Sequence, residues 1–476
     1  MAEELDLYTG TLLFREISFT FAFDKKELRL IPPEDKTYVV EWEWQFKEIR
    51  PGVSTFADPI PVEETYLIGE CNETRSKIVF IPAQGSTLGF HNHVVLIPLA
   101  AFVVCKYNRD TVDRVSFSCP EINYIHPVNQ AIVLFLPNEE LADKGTYTVS
   151  TRTFNETTTE KQTFRVDEQE MAVCFGISRS ISTQIHEPPL RMDSSMMFEF
   201  EATNDYRFIY RLWRIGREFI RFLCYRDNVY IPKVELSAPY EGGKHEKFAT
   251  MFILNQEGEA ESDTLKKGRY IKQAYIAGHE GEILSDIAKD NIYLRHLPES
   301  YRSGRHIDAA RFVMITAAFE WEFHRLYPNG VEKSQKTIDA EAVVSECIQK
   351  HIDETSGKQK EIYKFLKRLI ASDSLQAEII QMGKDFSAII GKFGEHLYHM
   401  NNEELKYSEM GERLSNQRNH FAHGDLDKEF IGTSLLDLIF MEYVIYAMQL
   451  KYYGVEDKNI RKSINELFHL NFAIAE

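Results

Sequence analysis

The sequence has few cysteines, and they are not arranged as a metal site or a disulfide framework. There is no C-x-x-C pair and no histidine at zinc-finger spacing beside any of the six, which are Cys71, Cys105, Cys119, Cys174, Cys224 and Cys347. We therefore expect no structural zinc, and no metal or other cofactor. Isolated cysteines in a chain of this size are typical of reduced, buried side chains in a cytosolic protein.

The sequence also has no long hydrophobic segment, and we expect no N-terminal signal peptide. The longest apolar run, Val94–Val104, is too short to span a bilayer. The opening segment MAEELDLYTG is acidic and has no hydrophobic core of the kind found in a signal peptide. These patterns predict a soluble, cytoplasmic protein with no membrane partner.

Positive charge is scarce. The chain has 55 lysines and arginines against 73 aspartates and glutamates, a formal net charge of −18. Such a surface disfavours nonspecific nucleic-acid binding, so a basic site would have to be formed locally by a few residues.

The sequence also lacks a P-loop, G-x-G-x-x-G, G-x-S-x-G and H-E-x-x-H, which leaves nucleotide hydrolysis, dinucleotide chemistry and zinc proteolysis without a motif.

The hydrophobic content of 43% is sufficient for globular cores. The length of 476 residues predicts two or three domains. Residues 1–240 have a β-rich pattern. Leu12–Phe23 and Thr37–Phe46 alternate apolar and polar residues, which predicts half-buried strands, and turn residues such as Pro51-Gly52 separate further strand candidates. This spacing predicts a sandwich-like antiparallel domain.

One helix interrupts the β pattern, at residues 205–224. Its apolar residues step by three or four along one face, beside an arginine series at the same spacing: Arg207, Arg211, Arg214, Arg217 and Arg221. The favoured interpretation is a solvated face paired with acidic neighbours. The alternative is a docking surface for RNA or for the second domain, because arginine donors suit phosphate.

After the β-rich half, Gly242-Gly243 and the acidic EGEAESD segment predict an exposed linker over residues 241–270. From residue 271 to 476 the apolar period changes to 3.6. Ile307–Tyr327 and Glu403–His423 are two of the predicted helices, and Ser434–Tyr453 is apolar enough to be central. The predicted fold is therefore α+β, with an all-α C-terminal bundle of five or more helices.

The richest chemistry lies in the stretch RNHFAHG, which contains Arg418, Asn419, His420, His423 and Gly424. Arginine can hold a phosphate through two donors, and histidine exchanges protons near neutral pH. RNA cleavage without a metal needs a base for the ribose 2′-OH, a cation for the phosphoryl oxygens and an acid for the leaving 5′-oxygen. The alternative is a helix C-terminus at which arginine and histidine only stabilise the dipole.

The spacing within this stretch constrains the site. Arg418 and His423 are five residues apart, so an ideal helix directs them about 140° from each other. Convergence requires either unwinding of the helix end, which Gly424 would allow, or a second copy of the motif across a two-fold axis. His420 is either a second proton-transfer group or a packing residue.

An R-x4-H motif with a polar residue after the arginine, late in a helical bundle, is similar to the HEPN family of metal-independent ribonucleases. Arg418, Asn419 and His423 carry this resemblance. In the first half, Tyr8–Gly10, Ile68-Gly69 and the segment FSCPEINY at 117–124 look like the N-terminal domain of ApeA-type antiphage proteins. The two resemblances together cover nearly the whole chain.

They imply an abortive-infection endoribonuclease that cuts host RNA after a phage-derived trigger and forms a homodimer through the bundle. The net charge of −18 also suits the hypothesis that the β-rich domain covers or gates the bundle. Two other hypotheses remain: a catalytically silent bundle that dimerises or binds RNA or nucleotides, and an adaptor that binds a protein through the β domain. Glu320 and Glu322, near His324, are the candidates outside the motif for orienting the site, with solvated helix charges as the alternative.

Overall fold

The structure is a computed structural model, and it describes residues 5–56, 58–137, 147–256, 260–261, 269–422, 430 and 432–474. Side chains are not described at 134–137, 147–148, 371 and 422. The chain divides into two compact units. The first comprises Met1–Cys224, Asn228–Lys267 and Glu280–Lys289, and the second comprises Tyr225–Asp227, Gly268–His279 and Asp290–Glu476.

Antiparallel strands dominate the first unit. They are β1 Tyr8–Phe14, β2 Ile17–Phe23, β3 Leu28–Ile31, β4 Phe46–Arg50, β5 Val53–Phe56, β6 Leu67–Cys71, β7 Lys77–Pro82, β8 Gly89–His91, β9 Val94–Ile97, β10 Leu99–Cys105, β11 Val112–Phe117, β12 Ile132–Pro137, β13 Tyr147–Thr151, β14 Gln162–Val166, β15 Gln169–Ile181, β16 Leu190–Thr203, β17 Lys233–Tyr240 and β18 Lys244–Ile253. The predicted antiparallel β-rich region is confirmed.

Within the described residues, fourteen of these strands form one sheet in the order β14-β15-β16-β11-β17-β18-β10-β7-β6-β1-β2-β3-β9-β8. The pairs β4-β5 and β12-β13 form separate two-stranded sheets. One core lies on β1 and β2, whose alternate side chains are buried; Phe21 and Phe23 both pack edge-on against Phe80 of β7. Gly10 is needed there, because a Cβ would meet the carbonyl oxygen of Glu70 at 1.9 Å.

The predicted strand at Thr37–Phe46 is wrong. Residues Glu34–Lys36 form a 3₁₀ turn and Val39–Glu43 a π-helical turn, and β4 begins only at Phe46. Val40 and Trp44 are four residues apart, so a helical turn also brings them to one side, and Trp44 packs against the rings of Phe14 and Phe19. Alternation over so short a segment does not distinguish the two structures.

The predicted linker over 241–270 is also wrong for part of its length. Residues Lys244–Ile253 form β18, which pairs with both β17 and β10. Gly242 and Gly243 have positive φ angles and belong to the short connection between β17 and β18. The sequence signal was therefore a tight turn within the sheet. Residues 257–259 and 262–268 of this segment lie outside the described residues.

Among its described residues, the first unit contains the helices α1 Pro120–Ile125, α2 Phe154–Thr157, α3 Tyr206–Cys224 and α4 Glu280–Ala288. The predicted helix at 205–224 is confirmed as α3. It packs on the sheet where Gly216 meets the ring of Phe117. Helix α4, expected as part of the C-terminal bundle, packs on β14, where Ser285 accepts a hydrogen bond from the backbone N–H of Arg165.

The second unit is helical, as predicted. Its helices are α5 Ala309–Leu326, α6 Gln335–Glu354, α7 Gly357–Ala371, α8 Leu375–His399, α9 Tyr407–Ala422, α10 Ser434–Tyr452 and α11 Asp457–Leu467. Asp308, Ser334 and Ser374 cap α5, α6 and α8 through side-chain acceptors. Helix α10 is buried on nearly all sides and packs against α5, α8, α9 and α11.

Among the helices described, none combines the length and the apolar character needed to cross a membrane.

Candidate active site

Helix α9, which carries Arg418, is fixed in the bundle by a buried carboxylate. Asp437 of α10 is fully buried and accepts hydrogen bonds from Nε and Nη2 of Arg413, both at 2.8 Å. It also accepts a short hydrogen bond from the Tyr398 hydroxyl of α8. Burial and the Asp437 carboxylate raise the pKa of Tyr398 well above its ordinary value, so Tyr398 stays a donor. One acidic side chain thus joins α8, α9 and α10.

Arg418 lies five residues after Arg413 on the same helix. Its guanidinium forms an ion pair with the Glu320 carboxylate of α5, through a short hydrogen bond from Nη1. The Arg418 side chain is 39% exposed. The cation is therefore oriented by a partner on another helix and remains accessible to solvent, which is what a group that receives a phosphate requires.

A third carboxyl group lies close to this pair. Glu378 of α8 is buried, and its Oε1 is 3.7 Å from Nε2 of His324. Burial, with the negative charges of Glu320 and Asp373, raises the pKa of Glu378 to about 8, against an opposing effect of Arg418. Within the part of the chain that the structure describes, Oε2 of Glu378 has no hydrogen-bond partner. Glu378 is thus a neutral carboxylic acid at neutral pH beside a cation and a second carboxylate.

Glu378 lies outside the sequence motif, 40 residues before Arg418. The available signal was its position among the apolar residues of α8, since Leu375, Glu378, Ile379 and Met382 are spaced along one buried face. An acidic residue on a buried face is unusual and often belongs to a functional site.

A pH-dependent stability follows from the raised pKa of Glu378. The folded protein keeps a proton that the unfolded chain releases, so the resulting stabilisation is complete below pH 4.5 and is lost as the pH rises to about 8. Glu378→Gln mimics the protonated form. We expect its free energy of unfolding, measured by urea denaturation, to rise relative to the wild type across this interval. The exposed Glu354→Gln should follow the wild type; identical profiles for wild type and Glu378→Gln would contradict the assignment.

The other residues of the motif are only partly described. Asn419 is exposed and His420 half-buried on α9, while Phe421 is buried against Phe312 of α5. At 100° per residue, Arg418 and His420 are directed to nearly opposite sides of the helix, so α9 alone does not bring them together. His423 and Gly424 lie outside the described residues, and so does the predicted unwinding of the helix end.

Of the two glutamates proposed to orient the site, the structure brings only Glu320 to Arg418. Glu322 is buried on another side of α5, paired with Arg325, and accepts hydrogen bonds from Gln449 of α10 and the backbone N–H of Tyr293. Residues two apart on a helix face different directions, which explains the difference. Glu322 is therefore part of the internal packing of the bundle.

The arginine series on α3 is largely engaged within the first unit. Arg211 binds both carboxylate oxygens of Asp167, Arg221 pairs with Glu218, and Arg207 donates to the carbonyl oxygen of Pro82 at 3.0 Å. Arg217 donates to the carbonyl oxygen of Val229, while Arg214 is exposed. This favours the first interpretation, a solvated face with acidic neighbours. The proposed contact of Arg207, Arg211, Arg214 and Arg221 with RNA stays a prediction.

No protein-family model, no curated protein and no solved structure matches this chain. Across the described residues, no group of three or more histidine, cysteine, aspartate or glutamate side chains has the arrangement of a metal site. The candidate site is the cluster of Arg418, Glu320, Glu378 and His324, which the ion pair and the short distances described above bring together.

Proposed function

We propose that the chain is a metal-independent endoribonuclease in which Arg418 binds the scissile phosphate and His423 transfers a proton. The observation that carries the proposal is the ion pair between the half-exposed Arg418 and Glu320, beside the neutral carboxyl group of Glu378. A phosphate needs a cation that is held in place yet accessible. Arg418 meets both conditions in a chain whose net charge is otherwise strongly negative.

The reaction follows from these groups. A base removes the proton of the ribose 2′-OH, and the 2′-oxygen forms a bond to phosphorus. The bond from phosphorus to the 5′-oxygen breaks, and an acid protonates that leaving oxygen, which gives a 2′,3′-cyclic phosphate and a 5′-OH. Arg418 stabilises the charge on the phosphoryl oxygens, His423 exchanges the proton, and Asn419 orients the histidine or the sugar.

Glu320 and Glu378 act on Arg418 rather than on RNA. The Glu320 carboxylate fixes the direction of the guanidinium before substrate arrives, and a phosphate oxygen then competes for the same donors. Because its raised pKa keeps Glu378 mostly protonated at neutral pH, it adds little negative charge that would repel the phosphate. We propose Glu320 and Glu378 as positioning residues.

The biological role that accompanies this chemistry is phage defence: abortive infection by cleavage of host RNA in the cytoplasm after a phage-derived trigger, as the resemblance to ApeA-type proteins implies. The test is to express wild type, Arg418→Ala and His423→Ala and to follow total RNA and growth under phage challenge. RNA degradation and protection should both be lost in the two variants. Equal protection by all three proteins would contradict the proposal.

A second candidate function is self-association, which would apply even if the helical bundle had no catalytic activity. Helices α6 and α7 expose apolar side chains that the second unit leaves uncovered: Ile338, Val343, Val344, Ile362, Phe365, Leu366 and Leu369. On α7 these residues have helical spacing and share one face. A contiguous exposed apolar surface favours a protein interface, and we propose that a second copy of the chain covers it.

We expect Phe365→Glu to convert a wild-type dimer into a monomer, because it introduces a charge into the apolar face of α7. Size-exclusion chromatography with light scattering measures the mass directly. Lys360→Glu places the same charge on the opposite side of α7 and should stay dimeric. A monomeric wild type at micromolar concentration, or a dimeric Phe365→Glu, would rule out this interface.

A further inference from the structure

The proposed cleavage moves two protons, and the motif on α9 supplies too few groups for both. One proton leaves the ribose 2′-OH, and another is taken up by the leaving 5′-oxygen. An arginine stays charged and an asparagine does not titrate, so Arg418 and Asn419 move neither proton. His420 is directed to nearly the opposite side of the helix from Arg418. With His423 as one proton-transfer group, the second has to come from another helix.

Helix α5 presents a histidine one turn away from the partner of Arg418. Glu320, which forms the ion pair with Arg418, and His324 are four residues apart on α5. Their side chains are therefore neighbours on one face of the helix, with Cβ atoms about 6 Å apart. The His324 side chain is 61% exposed. An exposed imidazole beside the carboxylate that holds the guanidinium can reach the same phosphodiester group.

The two carboxyl groups of the cluster are less suited to this proton transfer. The Glu320 carboxylate is engaged with the guanidinium of Arg418. Glu378 holds a proton at neutral pH, but its side chain is only 2% exposed and does not reach a substrate in solvent. Of the four side chains in the cluster, His324 is the one that belongs to a proton-exchanging residue type and is also accessible.

The position of Glu378 fits a proton donor at His324. Oε1 of Glu378 is 3.7 Å from Nε2 of His324, which is too long for a hydrogen bond, and Nδ1 is left for a substrate. Because burial raises the pKa of Glu378 to about 8, this neighbour is an uncharged acid at neutral pH. An uncharged neighbour does not hold an imidazolium in an ion pair, so the proton stays available. His324 also lies in the last turn of α5, where the helix dipole favours a cation.

We propose that His324 is the general acid of the cleavage and donates its proton to the 5′-oxygen as the bond from phosphorus to that oxygen breaks. The 2′-oxygen forms its bond to phosphorus while the 2′-OH proton passes to His423. Exchange with water then returns both histidines to their starting protonation states. This assignment rests on the proposed ribonuclease function and adds to it a residue from outside the motif.

A substrate with sulfur in place of the leaving 5′-oxygen tests this role, because a thiol is more acidic than an alcohol and leaves as a thiolate without a proton donor. The full chain is given a DNA oligonucleotide that contains a single ribonucleotide, with either oxygen or sulfur at the leaving position. We expect His324→Ala to cut the oxygen substrate at least about a hundredfold more slowly than the wild type, the usual effect of losing a general acid. On the sulfur substrate, its rate should approach that of the wild type.

Three further variants separate this role from others. Arg418→Ala and His423→Ala should stay slow on both substrates, because sulfur replaces neither the phosphate-binding cation nor the base. His399→Ala removes another exposed histidine, which lies 21 residues after Glu378 on α8 and roughly 30 Å along that helix. It should cut both substrates like the wild type. Thermal denaturation checks that each variant is folded.

The outcomes distinguish the role of His324 from the function on which it rests. Wild-type cleavage of the oxygen substrate by His324→Ala would overturn the role and leave the ribonuclease function standing. Slow cleavage of both substrates by His324→Ala would do the same, because a residue that only stabilises the end of α5 gains nothing from sulfur. A wild type that cuts neither substrate would overturn both.

Discussion

Arg418→Ala is expected to lower the rate of RNA cleavage by the purified chain at least about a hundredfold, the usual effect of removing one donor that stabilises transition-state charge. We propose this role for Arg418 because Glu320 orients its guanidinium and because its side chain is half-exposed. Arg418→Lys keeps the charge but loses the planar pair of donors, so its rate should lie between those of the alanine variant and the wild type.

The matched control is Asn416→Ala, an exposed polar residue on the same helix that the site does not use. Its cleavage rate should equal that of the wild type. Glu320→Gln should raise the apparent KM more than it lowers kcat, because it loosens Arg418 without removing the cation. Full activity in Arg418→Ala, with a wild-type unfolding midpoint, would remove Arg418 from the mechanism.

The largest effect on stability is expected from Asp437→Ala. The substitution removes the acceptor of three hydrogen bonds and leaves the Arg413 cation and the Tyr398 hydroxyl without their partner inside the bundle. Breaking a buried ion pair from one side costs about 3–5 kcal/mol. Urea denaturation measures the change, and cleavage should also fall because Asp437 fixes the helix that carries Arg418.

An exposed aspartate provides the comparison for Asp437. Asp457 pairs with Lys451, but both side chains are nearly half exposed, so Asp457→Ala should cost less than about 1 kcal/mol. Tyr398→Phe removes one hydrogen bond to the same carboxylate and should have an intermediate cost. Asp437→Ala with the stability of Asp457→Ala would show that the buried network does not hold the bundle together.

Local periodicity predicted most of the fold. The helices of the second unit follow a 3.6-residue repeat over many turns, and the bounds predicted for α3 and α10 agree with the observed ones to within a residue or two. Short segments were harder: Val40 and Trp44 suit a strand or a helical turn equally, and the contact with Phe14 that selects the turn comes from a distant strand. Likewise, Gly242-Gly243 predicts a turn wherever it occurs, and only the pairing of β18 with β17 and β10 identifies this segment as part of the sheet.

The site was predictable only in part, for the same reason. Arg418 could be identified because its chemistry lies within a short motif. The partners of Arg418 come from other helices, and Glu320 is 98 residues away in sequence. The face of α5 that is turned toward Arg418 carries Glu320, whereas Glu322 lies on another face and pairs with Arg325. Glu378 acquires its raised pKa from burial, which only the packed bundle provides.

The chemical groups at the ends of the RNA products test the proposed 2′-OH mechanism most directly. The purified chain should be incubated with chelator and an oligonucleotide of DNA that contains a single ribonucleotide, and the products identified by mass spectrometry. We expect one cut, after the ribonucleotide, with a 2′,3′-cyclic phosphate and a 5′-OH, and no cut by Arg418→Ala. Cleavage of the all-DNA control, ends bearing a 5′-phosphate, or equal cleavage by Arg418→Ala would contradict a 2′-OH mechanism at Arg418.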